Sequence, residues 1–189
     1  KLGDIAVSYL GDSASEEGAV QESFNLASIM KLPIIFVVEN NLFASHMHID
    51  LRQPHNSTAR FAEAHGIPFK VIDGNNLTDI YEASQEAVKY CRENKGPYFI
   101  EAMTYRWRGH VGPREDTDVG VKRKDDLNTW KKRDPIRRLK DSLINKNVLS
   151  ENDFNEITKL IDKNLDEQWQ KALDAPYPPK SLLTEIVYK

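Results

Sequence analysis

Short apolar runs punctuate the first part of the chain: Asp4–Leu10, Pro33–Val38, the weaker Pro68–Ile72, and Pro97–Met103. Pro33-Ile-Ile-Phe-Val-Val38 is continuously hydrophobic and β-branched, which predicts a strand covered on both faces in a parallel sheet. Between the runs, Val20, Phe24, Ala27 and Met30 recur at helical spacing and predict a helix over about 18–31 with one buried stripe. Ile80, Ser84, Ala87, Val88 and Cys91 do the same over about 77–94, with Asn76 or Thr78 as the N-cap. Strands alternating with helices predict an α/β core, a doubly wound parallel sheet with helices on both faces.

The pattern changes after Tyr105. Residues 107–126 are rich in Gly, Asp, Arg and Lys, carry no apolar period, and read as a long loop. From Asp125 the chain reads as helical in two or three pieces. Asp134-Pro135 fits a helix start, and Ser150 with Asp153 fits a capping box. Phe154, Ile157, Ile161, Leu165, Trp169 and Leu173 then follow at spacings that make one apolar stripe. Pro176, Pro178 and Pro179 end that helix, and Leu182–Tyr188 reads as a last extended segment. The expected organisation is an α/β part over 1–106, a loop over 107–124 and a helical extension over 125–189.

Composition narrows the function classes. With 26 Lys+Arg against 29 Asp+Glu the formal net charge is −3, which excludes a nucleic-acid binder working through global positive charge. The 189 residues are 40% hydrophobic, enough for a core in one domain, with or without a helical extension. One cysteine, Cys91, excludes a disulfide framework and suits a reducing compartment; it falls on an apolar stripe and reads as a buried hydrophobe. No apolar run approaches the roughly 20 residues of a membrane span, so a soluble, intracellular chain is expected.

The candidate chemistry lies between Gly11 and Asn41. Asp12 ends the first predicted strand and Asn40-Asn41 end the next, with 26 residues between Ser13 and Asn40. Ligands of open α/β sheets bind outside the carboxyl ends of the strands. A hard divalent cation needs oxygen ligands, and Asp12, Asn41 and the Phe43 carbonyl are placed to supply them. A helix starting near Glu17–Gly18 would aim its N–H groups at a diphosphate. Each feature taken singly is also what a turn or cap looks like.

Taken together these residues resemble a known family. Gly11-Asp12-Ser13 followed by Asn40-Asn41 is similar to the Gly-Asp-Gly … Asn-Asn motif of thiamine-diphosphate enzymes. The surrounding text resembles the α subunit of 2-oxoacid dehydrogenase E1 components: Ala14, Glu17-Gly18, Glu22-Ser-Phe-Asn25, and Lys31-Leu-Pro-Ile-Ile-Phe-Val-Val-Glu-Asn-Asn41. Asp73-Gly-Asn75, Lys95-Gly-Pro97, Tyr105-Arg-Trp-Arg-Gly-His110 and Arg133-Asp-Pro-Ile136 continue it in order. The resemblance implies a thiamin-diphosphate-binding fold, with thiamine diphosphate and Mg²⁺ as cofactors. It implies Asp12 and Asn41 as side-chain metal ligands and Phe43 as the backbone-carbonyl ligand. Ser13 and Ala14 would lie against the diphosphate, and His110 would be the active-site histidine near the reacting end of the cofactor. The implied partners are an E1 β subunit in an α2β2 assembly, a lipoyl-bearing E2 acyltransferase and a small 2-oxo acid. The implied location is the cytoplasm, or the mitochondrial matrix in a eukaryote. Related alternatives are an acetoin-type enzyme, a thiamine-diphosphate enzyme without a lipoyl partner, and an inactive half-subunit.

Departures from the family pattern matter. Ser13 stands where Gly is usual, and a left-handed backbone there would cost about 1–2 kcal/mol. The loop Val111–Arg123 is longer than usual and contains no Ser, which argues against control by phosphorylation and against assignment to pyruvate. The chain reads as the C-terminal half of such a subunit. Plainer readings apply to several other residues. Glu16 and Glu17 are expected to be solvated first-turn carboxylates, and Lys131-Lys132-Arg133 with Arg137-Arg138 a solvated helix face. His46 and His48 alternate like a zinc pair without a third ligand, and a loop lining the cofactor site is the expectation there. His55 and His65 read as surface or helix-end residues. Arg106, Arg108, Arg114 and Arg123 are candidates for an anionic substrate, or for structural ion pairs.

Overall fold

The computed structural model describes residues 3–114, 127–180 and 182. The strands are β1 (Ala6–Gly11), β2 (Ile34–Asn40), β3 (Phe43–Ala44), β4 (Met47–His48), β5 (Phe69–Asp73) and β6 (Tyr98–Met103). The helices are α1 (Gly18–Ile29), α2 (Ala59–Ala64), α3 (Leu77–Arg92), α4 (Leu127–Lys132), α5 (Pro135–Asn145) and α6 (Glu151–Asp174). Two compact units emerge, Lys1–Leu139 and Lys140–Lys189.

In the first unit a four-stranded sheet runs in the order β1-β2-β6-β5, and every pairing is parallel. Helices lie on both faces, as expected of a doubly wound α/β core. Central β2 alternates its apolar side chains between two clusters. Phe36 and Val38 join Phe24 and Ala27 of α1, Ala59 and Ala62 of α2, and Phe99. Ile35 joins Ala83, Ala87 and Cys91 of α3, with Tyr98 and Ile100. Phe24 centres the first cluster, edge-on to Phe36 at 4.7 Å and to Phe99 at 5.8 Å. The continuous hydrophobic run of β2 thus has its predicted cause. Cys91 is buried, and burial pushes its thiol pKa up.

Asn76 caps α3, its side chain accepting the Thr78 N–H. Met30 departs from the expected stripe. It is the C-cap residue of α1 and is exposed, because the chain leaves helical geometry there. The helical region after the loop is in three pieces, α4 to α6. Asp134 Oδ1 accepts the Arg137 N–H at the start of α5. In the second unit Ser150 and Asp153 form the predicted capping box on α6. The α6 stripe (Ile157, Ile161, Leu165, Trp169 and Leu173) is exposed. The expected last extended segment lies, apart from Leu182, outside the described residues.

The sequence pattern gave no warning of two small elements. β3 and β4 form an antiparallel hairpin across the turn at Ser45–His46, and α2 is a six-residue helix. Both are too short to show a period, and tertiary partners hold both.

Candidate cofactor and metal site

All four strands are parallel, so their carboxyl ends share one edge. Gly11 pairs with Glu39, which sets Asp12 beside Asn40 just past the ends of β1 and β2. Asp12 is 1% exposed and Asn40 fully buried. Asn41, half-buried, opens the connection to β3. The two asparagines make consecutive side-chain turns: Asn40 Oδ1 accepts the Leu42 N–H at 3.0 Å, and Asn41 Oδ1 accepts the Phe43 N–H at 3.1 Å. Leu42, directly after them, holds a left-handed φ of 70°. Strain of this kind in a bulky residue gathers at sites where the surroundings over-determine the backbone. Here the Leu42 carbonyl also accepts the Ile49 N–H at 2.8 Å.

That last bond fixes the hairpin phase. It makes Phe43 and His48 a pair that exchanges no backbone hydrogen bonds, so the Phe43 carbonyl stands outside the ladder. The Phe43 ring is held edge-on to His48 at 5.0 Å and to Tyr105 at 6.1 Å. Trp130 stacks on Tyr105 at 5.6 Å. Asp12, Asn41 and Phe43 therefore present a carboxylate, an amide and a carbonyl oxygen from one strand edge, a hard donor set that fits Mg²⁺. An amide oxygen with one N–H bond keeps a second lone pair.

Ser13 and Ala14 follow Asp12 directly. Ala14–Glu16 form a 3-10 turn, and α1 starts only at Gly18, so this turn and not α1 comes first after the acid. Ser13 has φ −75° and ψ −31°, in the right-handed region. The strain expected of a Cβ in place of glycine is therefore absent.

Burial raises the Asp12 pKa, outweighing the lowering effect of the Arg52 hydrogen bond and charge. Arg52 bonds Asp12 Oδ2 with one terminal nitrogen and Glu16 Oε1 with the other. This corrects one reading: Glu16 is an ion-pair partner, not a solvated carboxylate. Arg52, beside the candidate site, carried no sequence signal. Glu17 is exposed, as expected.

A second missed residue is Glu101, in the middle of β6 and fully buried. Its Oε1 accepts from Asn40 Nδ2 at 2.7 Å and from the Thr58 N–H and hydroxyl at 2.8 and 3.0 Å. Its Oε2 accepts the Ala59 N–H at 3.1 Å and the Ser57 hydroxyl. The carboxylate thus caps α2 and braces Asn40 at once.

His110 lies beyond β6 and is exposed. Gly109 N–H donates to the Arg114 carbonyl at 2.6 Å, closing the start of the loop. The rest of the loop, Arg123 included, lies outside the described residues. Arg106 and Arg108 donate to the Ser45 and Pro113 carbonyls at 2.6 and 3.1 Å. His48 is buried and its Nδ1 accepts the Asp50 N–H at 3.2 Å. No cluster of three or more His, Cys, Asp or Glu that could hold a metal occurs among the described residues. His65 caps α2 at its C-terminus.

The basic run after the loop is also only partly solvated. Asp73 pairs with Arg133 at 2.8 Å and Arg138 at 2.9 Å, while Asn75 Nδ2 reaches the Arg133 carbonyl at 3.0 Å. Asp73-Gly-Asn75 and Arg133-Asp-Pro-Ile136 are thereby one knot. Beside it Asn75, Thr104, Tyr105, Trp107 and Asp134–Ile136 line a cleft of about 340 Å³, and neither Asp12 nor Asn41 is among its lining residues.

Residues 1–181 match the family described as dehydrogenase E1 component. The chain belongs to the dehydrogenase E1 component family. It is 34% identical over 185 residues to the chloroplastic pyruvate dehydrogenase E1 component subunit alpha-3 of Oryza sativa subsp. japonica, covering 98% of this chain and 43% of that protein. It is 32% identical over 186 residues to the pyruvate dehydrogenase E1 component subunit alpha of Rhizobium meliloti (strain 1021), covering 97% and 53%. Against the somatic, mitochondrial subunit alpha of Homo sapiens it is also 32% identical over 186 residues, covering 98% and 47%. The E1 chain thus spans about half the length of the curated relatives it matches. Among its described residues no helix is long and apolar enough to cross a membrane.

Proposed function

We propose that this E1 chain supplies the metal- and diphosphate-holding part of an α subunit that decarboxylates a 2-oxo acid with thiamine diphosphate and Mg²⁺. The acyl group passes to a lipoyl carrier, and the partners are a β subunit in an α2β2 assembly and a lipoyl-bearing acyltransferase. A cytoplasmic or matrix location belongs to the same proposal. The observation that carries it is the setting of buried Asp12 beside Asn40-Asn41 at the carboxyl ends of adjacent parallel strands.

When bound, the cofactor supplies the electron sink at the substrate's keto carbon. The chain's own residues do the rest. Asp12, Asn41 and the Phe43 carbonyl hold Mg²⁺, and the backbone at Ser13 and Ala14 faces the diphosphate, where the first N–H groups of a helical turn have no partner within the turn. The β3–β4 hairpin and Glu101 keep that edge from moving. His110 acts at the reacting end, donating to a developing oxyanion or moving a proton.

Cofactor affinity measured with and without Mg²⁺ on the assembled enzyme tests the reading. Asp12→Ala and Asn41→Ala should each abolish the Mg²⁺-dependent part, and unchanged metal-dependent affinity in either would overturn it. His110→Ala should lower turnover and lipoyl acylation by about 10²–10⁴-fold. Its cofactor Kd should stay within about threefold. Normal rates with collapsed cofactor binding would remove His110 from this role.

A further inference from the structure

Arg52 directly follows the 3-10 turn Ile49–Leu51 that leaves the β3–β4 hairpin, and its N–H donates to the Ile49 carbonyl at 2.9 Å. Its side chain is 9% exposed. The two terminal nitrogens part company: Nη2 takes Asp12 Oδ2 and Nη1 takes Glu16 Oε1. Asp12 lies just before the Ala14–Glu16 turn and Glu16 is its last residue. Asp12 Oδ1 accepts nothing from another residue among the described contacts, and the buried Arg52 Nε–H has no partner.

We propose, resting on the function proposed above, that Arg52 is a positioning residue for the metal and diphosphate. It fixes the Asp12 carboxylate through Oδ2 and so leaves Oδ1 as the oxygen offered to Mg²⁺. Through Glu16 it also pins the far end of the turn whose backbone faces the diphosphate. One guanidinium between two carboxylates leaves the cluster a single net negative charge, which favours a dication without piling anionic charge against a diphosphate. The task calls for arginine. A planar fork with separate donors can hold two carboxylates in fixed directions, whereas an ammonium is a point charge on a flexible stem. Hydrogen-bond partners behind a metal's ligands orient them, and their loss typically costs about 10–100-fold in metal affinity.

The test uses the assembled enzyme, with Mn²⁺ as a spectroscopic stand-in for Mg²⁺ and thiamine diphosphate as the second probe. Arg52→Gln should weaken Mn²⁺-dependent cofactor binding by about 10–100-fold and alter the electron paramagnetic resonance line shape of bound Mn²⁺. Arg52→Lys should fail to restore it. In an Asp12→Asn background the same Arg52→Gln change should shift the Kd far less than in the wild type, leaving only the smaller loss of the Glu16 arm. Glu16→Gln, which keeps the Asp12 arm, should give a smaller loss in the same direction. Should Arg52→Gln fail to fold, Arg52→Lys and Glu16→Gln carry the test, and wild-type affinity in both overturns the proposal. It is also overturned if Arg52→Gln leaves affinity unchanged, if it tightens metal binding (Arg52 then competes with the cation), or if its loss is undiminished beside Asp12→Asn. If Asp12→Asn alone changes nothing, the functional reading itself fails, a result distinct from any of these.

Discussion

Glu101 carries an anion in the centre of a parallel sheet, and among the described residues its partners are five donors and no cation. A carboxylate can satisfy that many donors; an amide cannot, since half of it is itself a donor. Glu101→Gln should therefore destabilise the protein by about 2–4 kcal/mol, by leaving buried N–H or hydroxyl groups unpaired. Denaturant unfolding reads this, and a loss below about 0.5 kcal/mol, the ordinary range of a surface change, would show that the network is dispensable. Nothing local in Tyr98–Met103 marks Glu101, which reads as one polar residue in an apolar run. Its meaning depends on Thr58 and Asn40, both distant in sequence. Arg52 was illegible for the same reason. Asp12, Asn41 and Phe43 stand out as candidates because their order along the chain follows a motif, which Arg52 and Glu101 do not. The concern over Ser13 turned on a backbone angle that sequence does not state.

At the scale of elements, the knot between the end of β5 and the start of α5 explains two motifs that lie far apart in sequence. Gly74 N–H donates to the Met103 carbonyl at 2.8 Å, and a Cβ at Gly74 would fall 2.9 Å from that same oxygen. The oxygen is backbone in the central sheet and cannot step aside cheaply. Gly74→Ala should cost about 1–3 kcal/mol in unfolding free energy, and wild-type stability would mean that β6 yields there. Beside it burial pushes the Asp73 pKa up, but hydrogen bonds from Arg138, the Asn75 N–H and Arg133 outweigh burial and lower it overall. A depressed folded pKa stabilises above the unfolded value and loses that contribution as pH falls through the folded one. The stability gap between wild type and Asp73→Asn should thus be full above about pH 5 and close below about pH 4. A gap that persists in acid would assign the knot's strength to Asn75 and packing. Long periodic elements such as α1, α3 and β2 were readable because their apolar spacing is the physical cause of their burial. The β3–β4 hairpin and α2 were not, because what holds them is a carboxylate on β6 and a ring cluster, not a period of their own.

For the whole molecule, the apolar surface left exposed is the informative quantity. On α6 Trp169 is 69% exposed, with Leu165 at 62% and Leu173 at 64% in the same stripe, while Tyr9 on edge strand β1 is 69% exposed. Large apolar side chains exposed in a stripe, as on α6, mark contacts with other protein. The relatives are about twice as long as this chain, so its proposed site is expected to be one part of a larger one. On the proposed reading the chain supplies oxygens for a metal and a turn for a diphosphate. Holding a cofactor by its diphosphate alone forgoes the enclosure that buries most of a bound ligand and excludes water from the reacting carbon. The 189-residue chain by itself should therefore show no decarboxylation and cofactor binding weaker than about 100 μM, roughly −5.5 kcal/mol. Calorimetric titration with Mg²⁺ and thiamine diphosphate, beside a turnover assay with a 2-oxo acid, measures both. Supplying a β subunit and an α-subunit segment like the part of the relatives that this chain does not cover should restore them together. Micromolar binding with turnover by the isolated chain would show that these residues complete the site unaided, and the proposed division of labour would be wrong.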